Sequence, residues 1–528
     1  MKDLTRVPQD GAGMDLAVIG GGINGVAIAR ECARGGMRTL LVEKHDFASG
    51  TTSRSTRIIH GGLRYLEHGE LGLVRESLRE RQRLLRESPH LVRPIHFLLA
   101  MDESSRRNAL AVRTGLWMYR HLGGRLSAID GKHEARRLEQ VLDSGHQWSV
   151  FDFEDGQCEF PERLVADWLL EAIAAGVTVR NHTEALAVEV RNGKVAALRL
   201  RHLNNGTEKR VEVNRIINAA GPWVDRVIQS GGISTPHNLI GGVRGSHIVV
   251  PSFAGMPDAA VYTEAIDGRP IFVIPWNGQV LVGTTEVPDH DDPARATPDP
   301  DEIQYLRNSL LRLFAGAHTA ISHTRYAFAG IRPLPYTSGK KLGAITRNHI
   351  LYDHRDDGAA GMISVIGGKL TTAGELARQC AAKLGLHGSP RPVFAVADAS
   401  LENNQSIMAL AQAGLSPTIA LAVFTWNGAR SLRLAAALRQ RPELAAPLCE
   451  HSRHIVAEAT DAFDFQCAGT LADVLLRRVP VALGACWDNH CTRVAASRIG
   501  AAMGWVESRI ALELETFDQE RSAFLHRP

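Results

Sequence analysis

Residues 15–43 read Asp-Leu-Ala-Val-Ile-Gly-Gly-Gly-Ile-Asn-Gly-Val-Ala-Ile-Ala-Arg-Glu-Cys-Ala-Arg-Gly-Gly-Met-Arg-Thr-Leu-Leu-Val-Glu. The apolar run 16–19 stops at glycine, and 26–33 carries apolar residues at helical spacing until Gly35 and Gly36 break it. A second apolar run, 37–42, closes a βαβ unit with Glu43 at its tip. Gly20, Gly22 and Gly25 have the G-x-G-x-x-G spacing, needed for a tight turn, for close approach of backbone to a pyrophosphate, and for helix against strand packing. Ile23 and Asn24 open the helix, whose unpaired N–H groups face the phosphates. Glu43 stands where a carboxylate accepts ribose hydroxyls, and its charge argues against a 2′-phosphate. The motif alone leaves NAD and FAD open.

Composition bounds the remainder. A chain of 528 residues suggests about two to four domains. Hydrophobic residues at 44% and charged residues at 22% are ordinary globular values, and a net charge of +3 gives no reason to expect nucleic acid. Seven scattered cysteines suit free thiols in a reducing compartment. Cys486, His490 and Cys491 lie close together, but no second ligand cluster answers them, so no metal site is expected. Residues 1–13 lack the apolar core of a signal peptide, and no apolar run reaches the roughly 18 to 20 residues that span a bilayer. A soluble or surface-attached cytoplasmic protein is expected.

The stretch from Ser49 separates the cofactors. Thr51, Thr52, Ser53, Ser55 and Thr56 precede His60-Gly61-Gly62-Leu63, a hydroxyl-rich turn where a nicotinamide domain would continue to its third strand. Such a turn can wrap a second diphosphate and reach a flavin; the alternative is a plain polar loop. Later, the strand-like 216–219 ends in Ala220-Gly221-Pro222-Trp223, where backbone can pass close to a cofactor. Gly367-Gly368-Lys369-Leu370-Thr371-Thr372 follows another apolar run and is read as opening a helix, offering its N-terminus and Lys369 to the electron-rich edge of a flavin.

Gly-Gly-Gly-Ile-Asn-Gly at 20–25, Ile-His-Gly-Gly-Leu-Arg-Tyr-Leu-Glu-His at 59–68, Asn-Ala-Ala-Gly-Pro-Trp-Val at 218–224, Gly-Ser-His-Ile-Val-Val at 245–250, Ile-Arg-Pro-Leu at 331–334, Ile-Thr-Arg at 345–347 and the Gly-Gly-Lys-Leu-Thr-Thr motif occur in that order. Together, over about 14–385, they make the chain resemble the FAD-dependent glycerol-3-phosphate dehydrogenases. The resemblance implies an α/β fold: a Rossmann-like FAD-binding domain (14–75, 155–240 and 325–385), an inserted α+β substrate domain (76–154 and 241–324) and a C-terminal α-helical domain (399–528). It implies FAD as cofactor, glycerol 3-phosphate as substrate and hydride transfer from C2 to flavin N5. Electrons would go on to a quinone from the inner face of the cytoplasmic membrane. An oxidase using O2, an enzyme for another small hydroxy or amino acid, and a non-catalytic flavoprotein are the alternatives, and a homodimer stays open.

Oxidising a secondary alcohol needs a hydride acceptor, a proton acceptor and cations that hold an anionic substrate. By family position Arg64, Tyr65, Arg332, Arg347 and Lys369 bind substrate, with Gly330 beside the flavin. His60 is the expected proton acceptor, with His247 and Arg332 as alternatives. Two departures from the family pattern stand out: Cys158-Glu159-Phe160-Pro161-Glu162-Arg163 replaces paired acids, and Arg244 stands where lysine is usual.

Between the motifs, 71–87 and 109–122 read as basic amphipathic helices, suited to an anionic membrane surface or to a solvated helix over a core. Asn192-Gly193 and Asn277-Gly278 mark hairpins. Residues 390–398 resemble a linker, and from 403 the pattern is helical, giving a separate bundle.

Overall fold

Strand β1 (Leu16–Ile19) is buried at every position and lies at the centre of a parallel sheet. Its neighbours are β2 (Thr39–Val42) and then β6 (Thr178–Arg180) on one side, and β10 (Ile216–Asn218), β18 (Met362–Ile366) and β17 (Ile350–Asp353) on the other. Only β17 runs antiparallel to its neighbour. Helix α1 (Ile23–Arg34) crosses from β1 to β2 as the glycine pattern requires. The computed structural model describes residues 13–63, 69–105, 108–123, 132–338, 345–386 and 399–527.

A second sheet of nine strands runs β15 (Val287–Pro288), β11 (Ile240–Pro251), β14 (Gln279–Gly283), β13 (Pro270–Trp276), β12 (Ala260–Glu264), β4 (Val92–Met101), β5 (Ser149–Cys158) and β3 (Ile58–Ile59), with β16 (Tyr326–Pro335) also paired to β11. Strands β7 (Thr183–Arg191), β8 (Lys194–His202) and β9 (Glu208–Glu212) form a small meander. Its first turn is Asn192-Gly193, both at positive φ, as that dipeptide favours. The helices that matter for the site are α2 (Leu71–Glu87), α3 (Ala109–Gly123), α4 (Pro161–Ala174), α5 (Pro300–Leu313) and α6 (Ala373–Lys383).

Strands β3 and β16 pair within the nine-stranded sheet, and the ten-residue β16 finds its hydrogen bonds along β11. Gly367-Gly368-Lys369-Leu370-Thr371-Thr372 leads into a helix as expected: both glycines hold positive φ, and α6 starts directly after Thr372. The C-terminal part is helical as expected, and its helices pack on the large sheet. Trp426, Leu475 and Phe524 share one apolar cluster with Phe97, Phe153, Trp276 and Phe328 of the large sheet.

Two polar clasps fix that helical part to the rest. Arg163 on α4 donates to Trp426 O at 2.8 and 3.2 Å, to Gln466 Oε1 at 3.0 Å and to Arg478 O. Burial and the nearby Arg430 push its pKa down to about 9, so these acceptors compensate a costly desolvation. Asp46, just beyond β2, takes a two-pronged bond from Arg478 at 2.7 Å each and another from Arg477. The C-terminal part therefore grips the loop that follows Glu43.

Candidate functional site

At the carboxyl end of β1 the backbone is crowded in the way a dinucleotide turn requires. Gly20 has φ +108°, and a Cβ there would lie 2.4 Å from Ala219 O; one on Gly25 would lie 1.8 Å from Gly20 O. The Glu43 carboxylate accepts the Gly21 N–H at 2.7 Å and the His45 N–H at 2.9 Å. Burial raises its pKa while these two amides lower it. Thr52 Oγ1 accepts the Ile23 N–H at 3.1 Å, so the hydroxyl-rich turn packs directly on the start of α1, and a Cβ on Gly22 would meet that same oxygen at 3.3 Å.

The other hydroxyls divide. Ser53 donates to Ala48 O at 2.6 Å and Ser55 accepts the Arg57 N–H at 3.3 Å, so both brace their own loop. Thr51 donates to Ile331 O at 2.8 Å and Thr56 pairs with His247 Nε2 at 3.0 Å, and these two line the cavity described below. Opposite the first turn, Gly367 and Gly368 carry φ of +77° and +96°, and a Cβ at 368 would lie 2.3 Å from Asn24 Nδ2. Asn24 Oδ1 and Thr372 Oγ1 are buried without a hydrogen-bond partner. Leu370 packs into the core below, and Trp223, after Ala220 and Gly221, lies against Gly50. Close backbone approach, an acidic ribose position and orphaned polar atoms fit a dinucleotide with a diphosphate.

Beyond this cradle lies a cavity of about 300 Å3. His60, Gly62, Leu63, Arg332, Arg347, Gly368 and Lys369 all line it, so residues expected from distant motifs meet in one place. Arg332 projects from β16 across β11; a Cβ on Gly245 would lie 2.4 Å from its guanidinium, which is why a glycine sits there. Its nitrogens donate to Thr284 Oγ1 at 2.9 Å and Thr285 O at 3.2 Å. Gly330, two residues earlier, abuts Arg54 Cβ and has no room for a side chain. Arg347 pairs with Glu286 at 2.9 Å, and Lys369 Nζ donates to Ser77 Oγ of α2 at 3.2 Å. Burial pushes Lys369 down to about 8, against the pull of Glu76 and Glu70.

His60 is held through its backbone, its N–H donating to Thr371 Oγ1 at 3.2 Å. Burial and the Lys369 charge push its imidazole down to about 4, so the ring is neutral at ordinary pH. His247 does not line the cavity. It is buried, stacked on Phe328 at 4.9 Å and bonded to Thr56, and burial with Arg332 and Arg57 pushes it to about 3; it is a structural side chain. Arg244 pairs with Asp289 and Glu302, each at 2.9 Å, and so braces β11 and α5. Arg64 and Tyr65 lie outside the described residues.

The sequence reading missed Asp155, Arg269 and Glu286, which also border the cavity. Glu286 had one available signal, its place after Gly-Thr-Thr at the end of a strand. Arg269 and Asp155 had none. Among the described residues one further cluster has metal-like spacing, Asp46, His182 and Asp473. There Arg477 and Arg478 already hold Asp46, and His182 bonds Asp473 at 2.9 Å.

Residues 15–373 match the model of a protein family described as FAD dependent oxidoreductase. A glycerol-3-phosphate dehydrogenase of Synechocystis is 38% identical, over 89% of each chain. A D-erythritol 1-phosphate dehydrogenase of Brucella abortus is 36% identical, over 74% of this chain and 79% of the relative. The crystal structure of a glycerol-3-phosphate dehydrogenase from Bacillus halodurans, complexed with FAD, superposes with a TM-score of 0.77 at 21% identity, covering 97% of this chain and 95% of that one.

Proposed function

From a chain that belongs to the FAD-dependent oxidoreductase family, we infer an enzyme that oxidises sn-glycerol 3-phosphate at C2 to dihydroxyacetone phosphate and passes the electrons to a quinone. The observation that carries this reading is the convergence of Arg332, Arg347 and Lys369 with His60 on one cavity. Arginine forks suit a phosphate, and each charge-assisted bond contributes roughly 1.5 to 3 kcal/mol. Glu286 holds Arg347 in place before substrate arrives. FAD, when bound along 20–25, 43, 51–56 and 367–371, supplies the two-electron acceptor for the hydrogen at C2.

The neutral His60 imidazole takes the C2 hydroxyl proton. Its basicity rises when a phosphate dianion neutralises the field of Lys369, so binding and proton transfer are linked through that lysine. The phosphate grip is common to polyol phosphates, and D-erythritol 1-phosphate is therefore the competitor to test. Anaerobic titration decides: sn-glycerol 3-phosphate should bleach the flavin at micromolar to millimolar concentration, while glycerol should not. Bleaching by D-erythritol 1-phosphate alone would replace the substrate and keep the mechanism. Reoxidation by a quinone analogue without peroxide release separates dehydrogenase from oxidase.

Attachment to the inner face of the cytoplasmic membrane belongs to the same proposal. No helix among the described residues is long and apolar enough to cross a membrane. Helix α3 exposes Leu110, Trp117 and Leu122 beside Arg113 and Arg120, a surface suited to anionic lipid.

A further inference from the structure

Three elements that share no sequence motif converge on a single amide of the flavin-facing loop. The Gly61 N–H donates to Tyr119 Oη at 2.8 Å and more weakly to Asp155 Oδ1 at 3.3 Å. Tyr119 has one hydroxyl proton, and the Asp155 carboxylate oxygens lie 2.9 and 2.8 Å from it. Arg81 Nη1 closes the chain on Asp155 Oδ1 at 2.7 Å. All three side chains are buried. A phenol that donates to a carboxylate can only accept from the amide, so the chain has one direction: Gly61 N–H to Tyr119, Tyr119 O–H to Asp155, with Arg81 neutralising the acid. Burial raises the carboxyl and Arg81 opposes it, while the phenol is held well above its ordinary value and stays protonated.

The geometry around this chain is tight. A Cβ on Gly61 would lie 2.4 Å from Leu78 and 2.5 Å from Tyr119 Oη. Arg81 Nη2 and Gln82 Nε2 both donate to Gly123 O at 3.0 Å, which fixes the end of α3, the helix carrying Tyr119. One residue earlier the His60 N–H is bound to Thr371. Successive amides of the loop are thus tied to different elements, α3 and the segment before α6, which fixes the backbone that carries the His60 side chain.

We propose that Tyr119, Asp155 and Arg81 are positioning residues that orient His60 for proton transfer by locking the Gly61 amide. This rests on the reading of His60 as proton acceptor given above. A buried charged cluster could serve the fold alone, and the two roles differ in what they move. Tyr119→Phe keeps the ring and its edge contact with Phe153, whose centroid is 6.1 Å away, and removes only the hydroxyl. FAD content and melting temperature should stay near those of the parent. Hydrogen exchange at residues 58–63 should accelerate about tenfold, from the lost protection of one buried amide. With sn-glycerol 3-phosphate, kcat should fall by about one to two decades, because small misplacements of an acid–base group are costly, while KM stays within about twofold.

Unchanged exchange at 58–63, or a kcat within about twofold of the parent, overturns the proposal. If Tyr119→Phe does not fold, Asp155→Asn serves: it keeps an acceptor at Oδ1 but loses the charge, and should show the same exchange and the same kcat-over-KM pattern. Thr114→Ala, on the outer face of α3, is the control and should alter neither. A parent protein that fails to oxidise glycerol 3-phosphate would refute the substrate reading, whereas exchange at Gly61 tests the lock without turnover.

Discussion

Replacing Lys369 by arginine should abolish an alkaline limit expected near pH 8 in the parent enzyme. Burial lowers the Lys369 ammonium to about 8, whereas an arginine starts from an ordinary value of about 12.5, so the same downward push leaves it charged to about pH 10. The sign follows from which form binds. Protonated Lys369 attracts the phosphate, and deprotonation removes one charge from the grip, so affinity is full below the pKa and weakens as pH rises through it. At pH 7 roughly nine-tenths of the lysine is charged and at pH 9 roughly one-tenth, so kcat/KM should fall about tenfold per unit above 8. The second ionisation of the phosphate, near pH 6, lies on the other limb. Stopped-flow bleaching of the flavin at pH 6 to 10, as a function of substrate concentration, separates affinity from rate. In Lys369→Arg the profile should be flat to about pH 10, and in Lys369→Met flat but one to two decades lower, the loss expected for charge-assisted hydrogen bonds. An alkaline limit that persists near 8 in both variants would refute the assignment of Lys369 to the phosphate.

Other substitutions report on separate parts of the molecule. His60→Gln should lower kcat by about 10²- to 10⁴-fold and remove the acid limb; because His60 sits at about 4, below the ordinary 6.5, the parent limb should also lie well below 6.5. A kcat within a few fold of the parent would pass the proton to another group, with Arg332 next in line. Arg332→Ala should cut kcat/KM for glycerol 3-phosphate by about one to two decades with FAD content retained; equal loss with glycerol would make Arg332 a support of the flavin. Arg163→Met leaves the carbonyls of Trp426 and Arg478 without their buried donor, and should cost roughly 3 kcal/mol or more in thermal unfolding of the holoenzyme; unchanged melting would refute the clasp. Sedimentation with anionic vesicles should weaken with salt, as screening shortens electrostatic reach to about 8 Å, and with Trp117→Ala; equal recovery with and without vesicles would return α3 to the ordinary solvated class.

What the sequence made legible follows from the range of each signal. The turn at Gly20, Gly22 and Gly25 is local: its glycines are demanded by atoms within a few residues or on the adjoining strand, and the βαβ reading matches β1, α1 and β2. The hairpins at Asn192-Gly193 and Asn277-Gly278 are legible for the same reason, since positive φ at those residues is a property of the dipeptide. The cavity is different. Arg332, Arg347 and Lys369 were found by their motifs, but only the pairing of β11 with β16 and the stacking of β18 beside β10 brings them to one volume.

Arg81 shows where pattern reading fails and why. On α2 it stands in a series with Arg75, Arg79, Arg83 and Arg86, and helical spacing alone marks them all as a basic face. Arg75, Arg79 and Arg86 are indeed exposed, whereas Arg81 is 1% exposed, because Asp155 arrives from β5, more than seventy residues away, to pair with it. The same holds for Trp426 and Phe524: an apolar helical stripe says that something covers it and leaves open whether the cover is another helix or a sheet. Here it is the sheet, and through Arg477 and Arg478 the helical part also reaches Asp46, three residues past Glu43. A lesion in the C-terminal helices should consequently be felt first as weakened FAD retention, since the loop they hold is the one that carries Glu43.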